Sequence, residues 1–215
     1  IEEHLKGEEM SFFIISDGKT FKKFGTAQDH KRVFEGDRGK NTGGMGAYSP
    51  SRLENNKLNQ KIIKKIIEPT LQGLDDLGVS FKGFLYAGLM INNDEPYLIE
   101  YNVRMGDPEC QTILPKLKTD FGEVIESCVN RNLNSLDIQW YEESTMCIVL
   151  CSKGYPEKYN NNIEIKNLSK INTFDNEFIF HAGTKKKNNK IFSNGGRVLN
   201  FVTRSRDLKK SRDRL

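Results

Sequence analysis

The chain has no paired cysteine motif. Its four cysteines, Cys110, Cys128, Cys147 and Cys151, are scattered without a CxxC spacing. Cys147 and Cys151 lie in or beside an apolar, strand-like run, so the thiols read as buried, reduced side chains of a protein from a reducing compartment. Long apolar runs are missing too. No segment approaches the ~18 residues of a membrane span, and none has the charged, apolar and small-residue order of a signal peptide. A membrane partner is therefore not expected, and a cytoplasmic location is. Charge of one sign is also lacking, since 33 basic residues stand against 29 acidic ones for a formal net charge of +4. Much of that surplus sits in Lys185-Lys186-Lys187 and between Arg204 and Arg214, without the aromatic-interleaved basic stripe of a nucleic-acid binder. Walker spacing, the GxGxxG dinucleotide pattern, a Ser-His-Asp elbow, a Cys-His nucleophile pattern and internal repeats are all absent. With 36% hydrophobic residues over 215 positions, the chain can bury a core and hold one or two domains. It begins at Ile1, without Met and in mid-pattern, so an N-terminal region of a larger protein is expected to precede it.

What the chain does have is concentrated between Glu100 and Glu109. Tyr97-Leu98-Ile99 is an apolar run with strand preference, and alternate strand side chains share a face. The spacing predicts Glu100, Asn102 and Arg104 on one face. A carboxylate and an amide supply hard oxygens suited to Mg²⁺ or Mn²⁺, which takes few protein ligands beside waters and phosphates. Arg104 adds a guanidinium able to hold a phosphate or carboxylate in bidentate fashion. The turn Gly106-Asp107-Pro108-Glu109 follows at once with two more carboxylates.

Around this edge the pattern predicts a hairpin of two strands, Met10 to Ile15 and Thr20 to Phe24, turned at Ser16-Asp17-Gly18. Thr26 to Arg32 is dense in donors and reads as too polar for a core. A long turn-rich loop is expected from Asp37 to Pro50. Leu58, Ile62, Ile63, Ile66, Ile67, Leu71 and Leu74 recur at helical spacing over Lys57 to Leu77, with Pro69 able to kink the helix. A strand from Gly83 to Ile91 turns at Asn92 to Glu95 into the strand that delivers Glu100, and Asp120 to Asn132 predicts a short helix. Beyond about Leu136 short strands dominate, with a modest helix at the C-terminus.

Two further clusters could carry chemistry. The glycines of Asn41-Thr42-Gly43-Gly44-Met45-Gly46 allow backbone amides to approach a ligand closely, as an anion-cradling loop requires. Asp29-His30-Lys31-Arg32 offers two permanent cations and one titratable ring, a natural clamp for transferred phosphate. With the Glu100 face, these cations point to phosphoryl transfer.

In order along the chain, the runs GEEMSF, QDHKR, NTGGMGAYSP, GFLYAGLM, EYNVRMGDPE, FHAGT and NGGRVL resemble the phosphoribosylamine-glycine ligase family, ATP-grasp enzymes of purine biosynthesis. The resemblance implies an α+β fold: the C-terminal lobe of an ATP-grasp fold, an antiparallel sheet with flanking helices, over residues 1–136, then a smaller β-rich C-terminal domain over 137–215. It implies ATP as co-substrate, glycine and 5-phosphoribosylamine as substrates, and Mg²⁺ or Mn²⁺ on Glu100 and Asn102. Arg104 would neutralise an acyl phosphate, while His30, Lys31 and Arg32 would face the γ-phosphate. Glu2, Glu3 and Leu5 would lie in the adenine hinge, and Glu8 or Glu9 would take the ribose hydroxyls. Asn41, Thr42, Gly43 and Gly44, with Asp107, Pro108 and Glu109, would shape the glycine and amine pocket, and Arg197 would approach a substrate phosphate. The alternatives are another ATP-grasp carboxylate-amine ligase or carboxylase, and a non-catalytic nucleotide-binding module.

Overall fold

The structure is a computed structural model that describes residues 3–171 and 173–215. In chain order, β1 (Glu8–Asp17) and β2 (Phe21–Asp29) form the expected hairpin. Its turn is closed by two devices. Gly18 takes φ +84, and the Asp17 carboxylate accepts from the N–H groups of Lys19 and Thr20, both at 2.8 Å, and of Leu133 at 3.1 Å. Burial alone would raise the Asp17 pKa, but these hydrogen bonds hold it below its ordinary value.

Strand β2 runs further than its polarity suggested. Thr26, Ala27 and Gln28 are buried, because their polar atoms find partners. The Thr26 hydroxyl donates to the Glu54 carboxylate and accepts the Ser51 N–H at 3.1 Å, while Gln28 accepts from the Ser51 hydroxyl at 3.4 Å. After β3 (Arg32–Phe34), the stretch read as one long loop also carries strands, β4 (Arg38–Asn41) and β5 (Gly46–Ser49). Runs of three or four residues are too short for alternation to register.

Asn55 caps the next helix by accepting the Leu58 N–H at 2.9 Å. Helix α1 (Asn56–Ile62) passes through a π turn (Ile63–Ile67) into α2 (Glu68–Asp76). Pro69 has no N–H to offer the carbonyl four residues back, and the helix widens just before it. Then follow β6 (Lys82–Asn92), β7 (Glu95–Asn102), α3 (Glu109–Ile113) and α4 (Phe121–Val129), the last capped by Asp120. The remainder is mostly strand: β8 (Ser144–Cys151), β9 (Glu164–Ile165), β10 (Glu177–His181), β11 (Thr184–Lys187), β12 (Lys190–Ser193) and β13 (Arg197–Ser205). Helix α5 (Leu208–Arg214) closes the chain, its first turn capped by Asp207.

These elements fall into two compact units. The first comprises Ile1–Gln28, Ser49–Gly106 and Leu117–Tyr141; the second comprises Asp29–Tyr48, Asp107–Lys116 and Glu142–Leu215. In the first unit, an antiparallel sheet in the order β2-β1-β6-β7 buries Met10, Phe12, Ile14, Leu85, Ala87, Leu89 and Ile91 beneath Leu58, Ile62, Ile66 and Ile67 of the helix. The opposite face is aromatic. Phe13 stacks on Tyr86 at 4.7 Å, and Phe24 meets Phe84 and Trp140 edge-on at 4.9 and 5.0 Å. The second unit holds strands in the order β10-β13-β8-β5, the sheet β11-β12-β9 and the hairpin β3-β4. The expected α+β architecture is observed: antiparallel sheet with flanking helices, then a β-rich part.

All four cysteines are free, with Cys128 and Cys147 buried and Cys110 and Cys151 half-buried. Burial pushes the Cys147 thiol up to about 12, and burial with the nearby Asp107 and Glu109 charges pushes Cys110 up to about 11. Such thiols are inert packing groups. No helix among the described residues is long and apolar enough to cross a membrane.

Candidate active site

In the first unit the site is written on one face of a sheet. Residues opposite one another across antiparallel strands share a face, and the register aligns Ser11 with Gly88 and Gly88 with Glu100, then Phe13 with Tyr86 and Tyr86 with Asn102. The Ser11 hydroxyl accordingly donates to Tyr86 Oη at 3.0 Å. The Asn102 amide donates to Glu100 Oε1 at 3.1 Å, so the two side chains lie side by side. Gly88 makes room for them, since a Cβ there would stand 3.2 Å from Glu100 Cγ. Arg104 departs from the expected pattern. Strand β7 ends at Asn102, and Arg104 lies in the bend beyond it with its guanidinium donating to the Met105 carbonyl at 3.0 Å.

The neighbouring residue on β7, Tyr101, faces the helix, and its hydroxyl donates to the Ile66 carbonyl at 3.3 Å. The Thr70 hydroxyl reaches the same carbonyl at 2.7 Å. This anchor fixes the strand carrying Glu100 and Asn102 to the π turn, and a sequence offers no local sign of it.

Strand β1 separates the two acids proposed for ribose. Glu8 falls in the alternation of Met10, Phe12 and Ile14, which face the helix, and pairs with Arg52. Glu9 falls in the alternation of Ser11 and Phe13, the face of Glu100 and Asn102. Glu3 is exposed and Leu5 half-buried ahead of β1. Glu2 lies outside the described residues.

The second unit gathers the remaining candidates into a bonded knot. His30, Lys31 and Arg32 run beside residues 41–46: Arg32 pairs with Asn41 across β3 and β4, Thr42 N–H donates to Lys31 O at 2.8 Å, Met45 N–H to His30 O at 2.8 Å, and His30 N–H to Gly46 O at 2.9 Å. Arg32 spends one donor on the Gly39 carbonyl at 2.7 Å. The His30 ring lies 5.8 Å from that of Tyr48. Gly44 takes φ +110, where a Cβ would come within 2.5 Å of Pro108 Cδ, so the Gly-rich loop rests directly on the Asp107-Pro108 turn. Glu109, only 3% exposed, opens α3 beneath it.

Arg197 joins the two loops. Its Nη1 donates to the carbonyls of Gly43 at 2.6 Å and Asp107 at 2.7 Å, and its Nη2 lies 3.3 Å from the Asp107 carboxylate. The amides of the Gly-rich loop are occupied as well. Gly44 N–H donates to the Thr42 hydroxyl at 3.0 Å, and Gly43 N–H to the Tyr155 hydroxyl at 3.0 Å. With those of Thr42 and Met45 already bonded, four successive N–H groups face protein acceptors, unlike the open anion cradle that the glycines suggested. Tyr155 was not singled out from the sequence, because its hydroxyl serves a backbone group more than a hundred positions away. FHAGT and NGGRVL also meet: Gly183 N–H donates to Arg197 O at 2.9 Å, and a Cβ on Gly183 would stand 2.8 Å from Gly195 Cα.

A sheet face bearing an acid and an amide, with a separate cation-rich and Gly-rich knot, is the arrangement of an ATP-grasp lobe followed by a β-rich domain. Residues 1–110 match the model of the phosphoribosylglycinamide synthetase ATP-grasp (A) domain, and residues 145–215 match that of the phosphoribosylglycinamide synthetase C domain. The chain belongs to the phosphoribosylglycinamide synthetase family. It is 44% identical over 202 residues to a phosphoribosylamine-glycine ligase of Brucella melitensis, covering 94% of this chain and 47% of that protein. It is 46% identical over 209 residues to the trifunctional purine biosynthetic protein adenosine-3 of Gallus gallus, covering 97% of this chain and 21% of that one. The crystal structure of a phosphoribosylamine-glycine ligase from Thermotoga maritima superposes with TM-score 0.85 at 32% identity, over 99% of this chain and 52% of that chain. The chain thus spans about half the length of the bacterial relatives it matches.

Proposed function

We propose that this chain, together with the N-terminal region expected to precede it, ligates glycine to 5-phosphoribosylamine at the expense of ATP in the cytoplasm. The observation that carries the reading is the family membership of both parts of the chain, joined to an exposed Glu100 side by side with Asn102. On this reading residues 1–136 are the C-terminal portion of the ATP-grasp domain and 137–215 its β-rich companion.

A carboxylate is a poor electrophile until one of its oxygens becomes a leaving group. A glycine carboxylate oxygen attacks the γ-phosphorus of ATP, ADP departs, and glycyl phosphate forms. The phosphoribosylamine nitrogen then attacks the glycyl carbonyl carbon, the C–O bond to phosphate breaks, and the nitrogen loses a proton to give glycinamide ribonucleotide.

Glu100 and Asn102 have donor chemistry that fits a hard divalent cation, Mg²⁺ or Mn²⁺, which keeps most of its remaining positions for water and phosphate oxygens. When bound, that ion would offset charge on the ATP phosphates. Arg104, with one of its five donors on Met105, neutralises the acyl phosphate. Glu9 takes the ribose hydroxyls, because it shares the face of Glu100 whereas Glu8 lies on the opposite one. Glu2, Glu3 and Leu5 meet adenine, and His30, Lys31 and Arg32 meet the transferred phosphate. Asn41 to Gly44 with Asp107, Pro108 and Glu109 form the glycine and amine pocket, bordered by Arg197.

The test is an assay of the full-length protein for ADP release that requires both glycine and phosphoribosylamine. ADP release that ignores glycine, or that depends on bicarbonate in place of the amine, would assign the chain to another ATP-grasp reaction.

A further inference from the structure

Gly43 is held from both sides by residues of the β-rich part. Its carbonyl accepts from Arg197, and its N–H donates to the hydroxyl of Tyr155. The two peptide groups flanking Gly43 therefore have fixed orientations, and no side chain of Gly43 itself takes part. The room is also bounded, since a Cβ on Gly43 would stand 3.0 Å from Arg197 Cζ.

Tyr155 is in turn held rigidly. Its ring lies against Gly196, where a Cβ would come within 2.2 Å of ring carbon Cδ2, and it meets Tyr159 edge-on at 6.1 Å. Its own N–H donates to Ser152 O at 3.1 Å, and Ser152 fastens back on the 195–196 turn through Gly195 O and Gly196 O, both at 2.8 Å. Two residues on, Glu157 pairs with Lys40, in β4 just ahead of the same Gly-rich loop. The turn from Ser152 to Tyr159 thus grips residues 40–43 at two points and carries its own reference to the strand that bears Arg197.

We propose that Tyr155 is a positioning residue of the glycine and amine pocket, fixing the Gly43 peptide from its N–H side as Arg197 fixes it from its carbonyl side. This rests on the reading that residues 41–44 border that pocket. A rigid aromatic held by packing is suited to such a role, because little rotamer freedom is lost when its hydroxyl accepts a hydrogen bond. The hydroxyl acts on substrate only through the loop.

The experiment compares full-length wild type with Tyr155→Phe, which keeps the ring on Gly196 and deletes the acceptor, and with Tyr155→Leu, which removes both. Backbone hydrogen exchange is read at residues 42–45 beside steady-state kinetics. In Tyr155→Phe the Gly43 amide exchanges about tenfold faster, as expected for loss of one protecting hydrogen bond. KM for glycine rises about fivefold or more, KM for ATP stays within about twofold, and the melting temperature holds, while Tyr155→Leu exaggerates the first two changes. Unchanged Gly43 exchange in Tyr155→Phe overturns the proposal. So does faster exchange with KM for glycine unmoved, or a loss shared equally between glycine and ATP. Exchange needs no turnover, so a protein that fails the ligase assay yet shows the faster Gly43 amide defeats the functional reading and leaves the Tyr155 contact standing.

Discussion

In the first unit the candidate site groups stand on and just beyond β7, with Glu100 exposed and, among the described residues, bonded only to its neighbour Asn102, and with Arg104 beyond the last strand residue. In the second, residues 41–44, Asp107 and Arg197 are bonded to one another, and Tyr155 closes the set. On the proposed function, the difference follows from the chemistry each would perform. On that reading, oxygens that would hold a cation do best with few protein donors; Glu100 takes one, from Asn102, on a strand whose next residue, Tyr101, is anchored on the Ile66 carbonyl. A loop that shapes a small-molecule pocket gains from being fixed in advance, since flexibility there would have to be lost on binding.

The contrast can be tested most severely at Glu100 and Asn102, the proposed metal ligands. Glu100→Gln and Asn102→Ala in the full-length protein are expected to lower glycine-dependent ADP release by about a thousandfold or more while leaving the fold intact. Turnover within about tenfold of wild type in both would remove the metal assignment. Next comes the knot. Gly44→Ala places a Cβ at 2.5 Å from Pro108 Cδ and 2.7 Å from Asp29 Oδ1 at φ +110, and a loss of about 2–4 kcal/mol in denaturant unfolding is expected. Its counterpart in the first unit is Gly73→Ala on α2, where nothing lies within 4 Å. There, replacing glycine within a helix should stabilise by about 0.5–1 kcal/mol. Equal effects at the two glycines would erase the distinction between a tight loop and an open helix surface.

Between these lies Glu54, the polar anchor of the first unit, which takes hydrogen bonds from Lys23, Thr26 and Asn59. Burial would raise its pKa, but the Lys23 charge and those hydrogen bonds hold it below its ordinary value of 4.5. A carboxyl with a depressed folded pKa stabilises above its unfolded pKa, and that contribution fades as pH falls through the folded value. Glu54→Ala is expected to cost about 2 kcal/mol near neutral pH. The gap between variant and wild type should narrow in urea titrations carried below about pH 4. A gap that stays constant with pH would show that the lost contribution is packing rather than charge.

Much of the first unit was legible in the chain. The Ser16-Asp17-Gly18 turn, the helix with its Pro69 irregularity and the Glu100 strand rest on local signals: a turn glycine, a 3.6-residue period and a two-residue alternation. The buried end of β2 was not, because Thr26 and Gln28 are polar and become core residues only once Glu54 and Ser51 arrive. Arg104 was misassigned to the strand face since alternation gives no warning of where a strand stops. In the second unit, β4 and β5 are too short for a period, and glycines that read as an amide cradle turned out to hand their N–H groups to Thr42 and Tyr155.

By itself the sequence determined the longer elements and the residue types that the proposed chemistry would use, because periodicity, turn residues and the oxygen and guanidinium groups are properties of neighbours along the chain. Only the tertiary structure decided that Glu9 rather than Glu8 shares a face with Glu100, and that Arg197 and Tyr155 close on Gly43. Face and partner depend on register and on contacts between residues more than a hundred positions apart, and no local propensity encodes those distances.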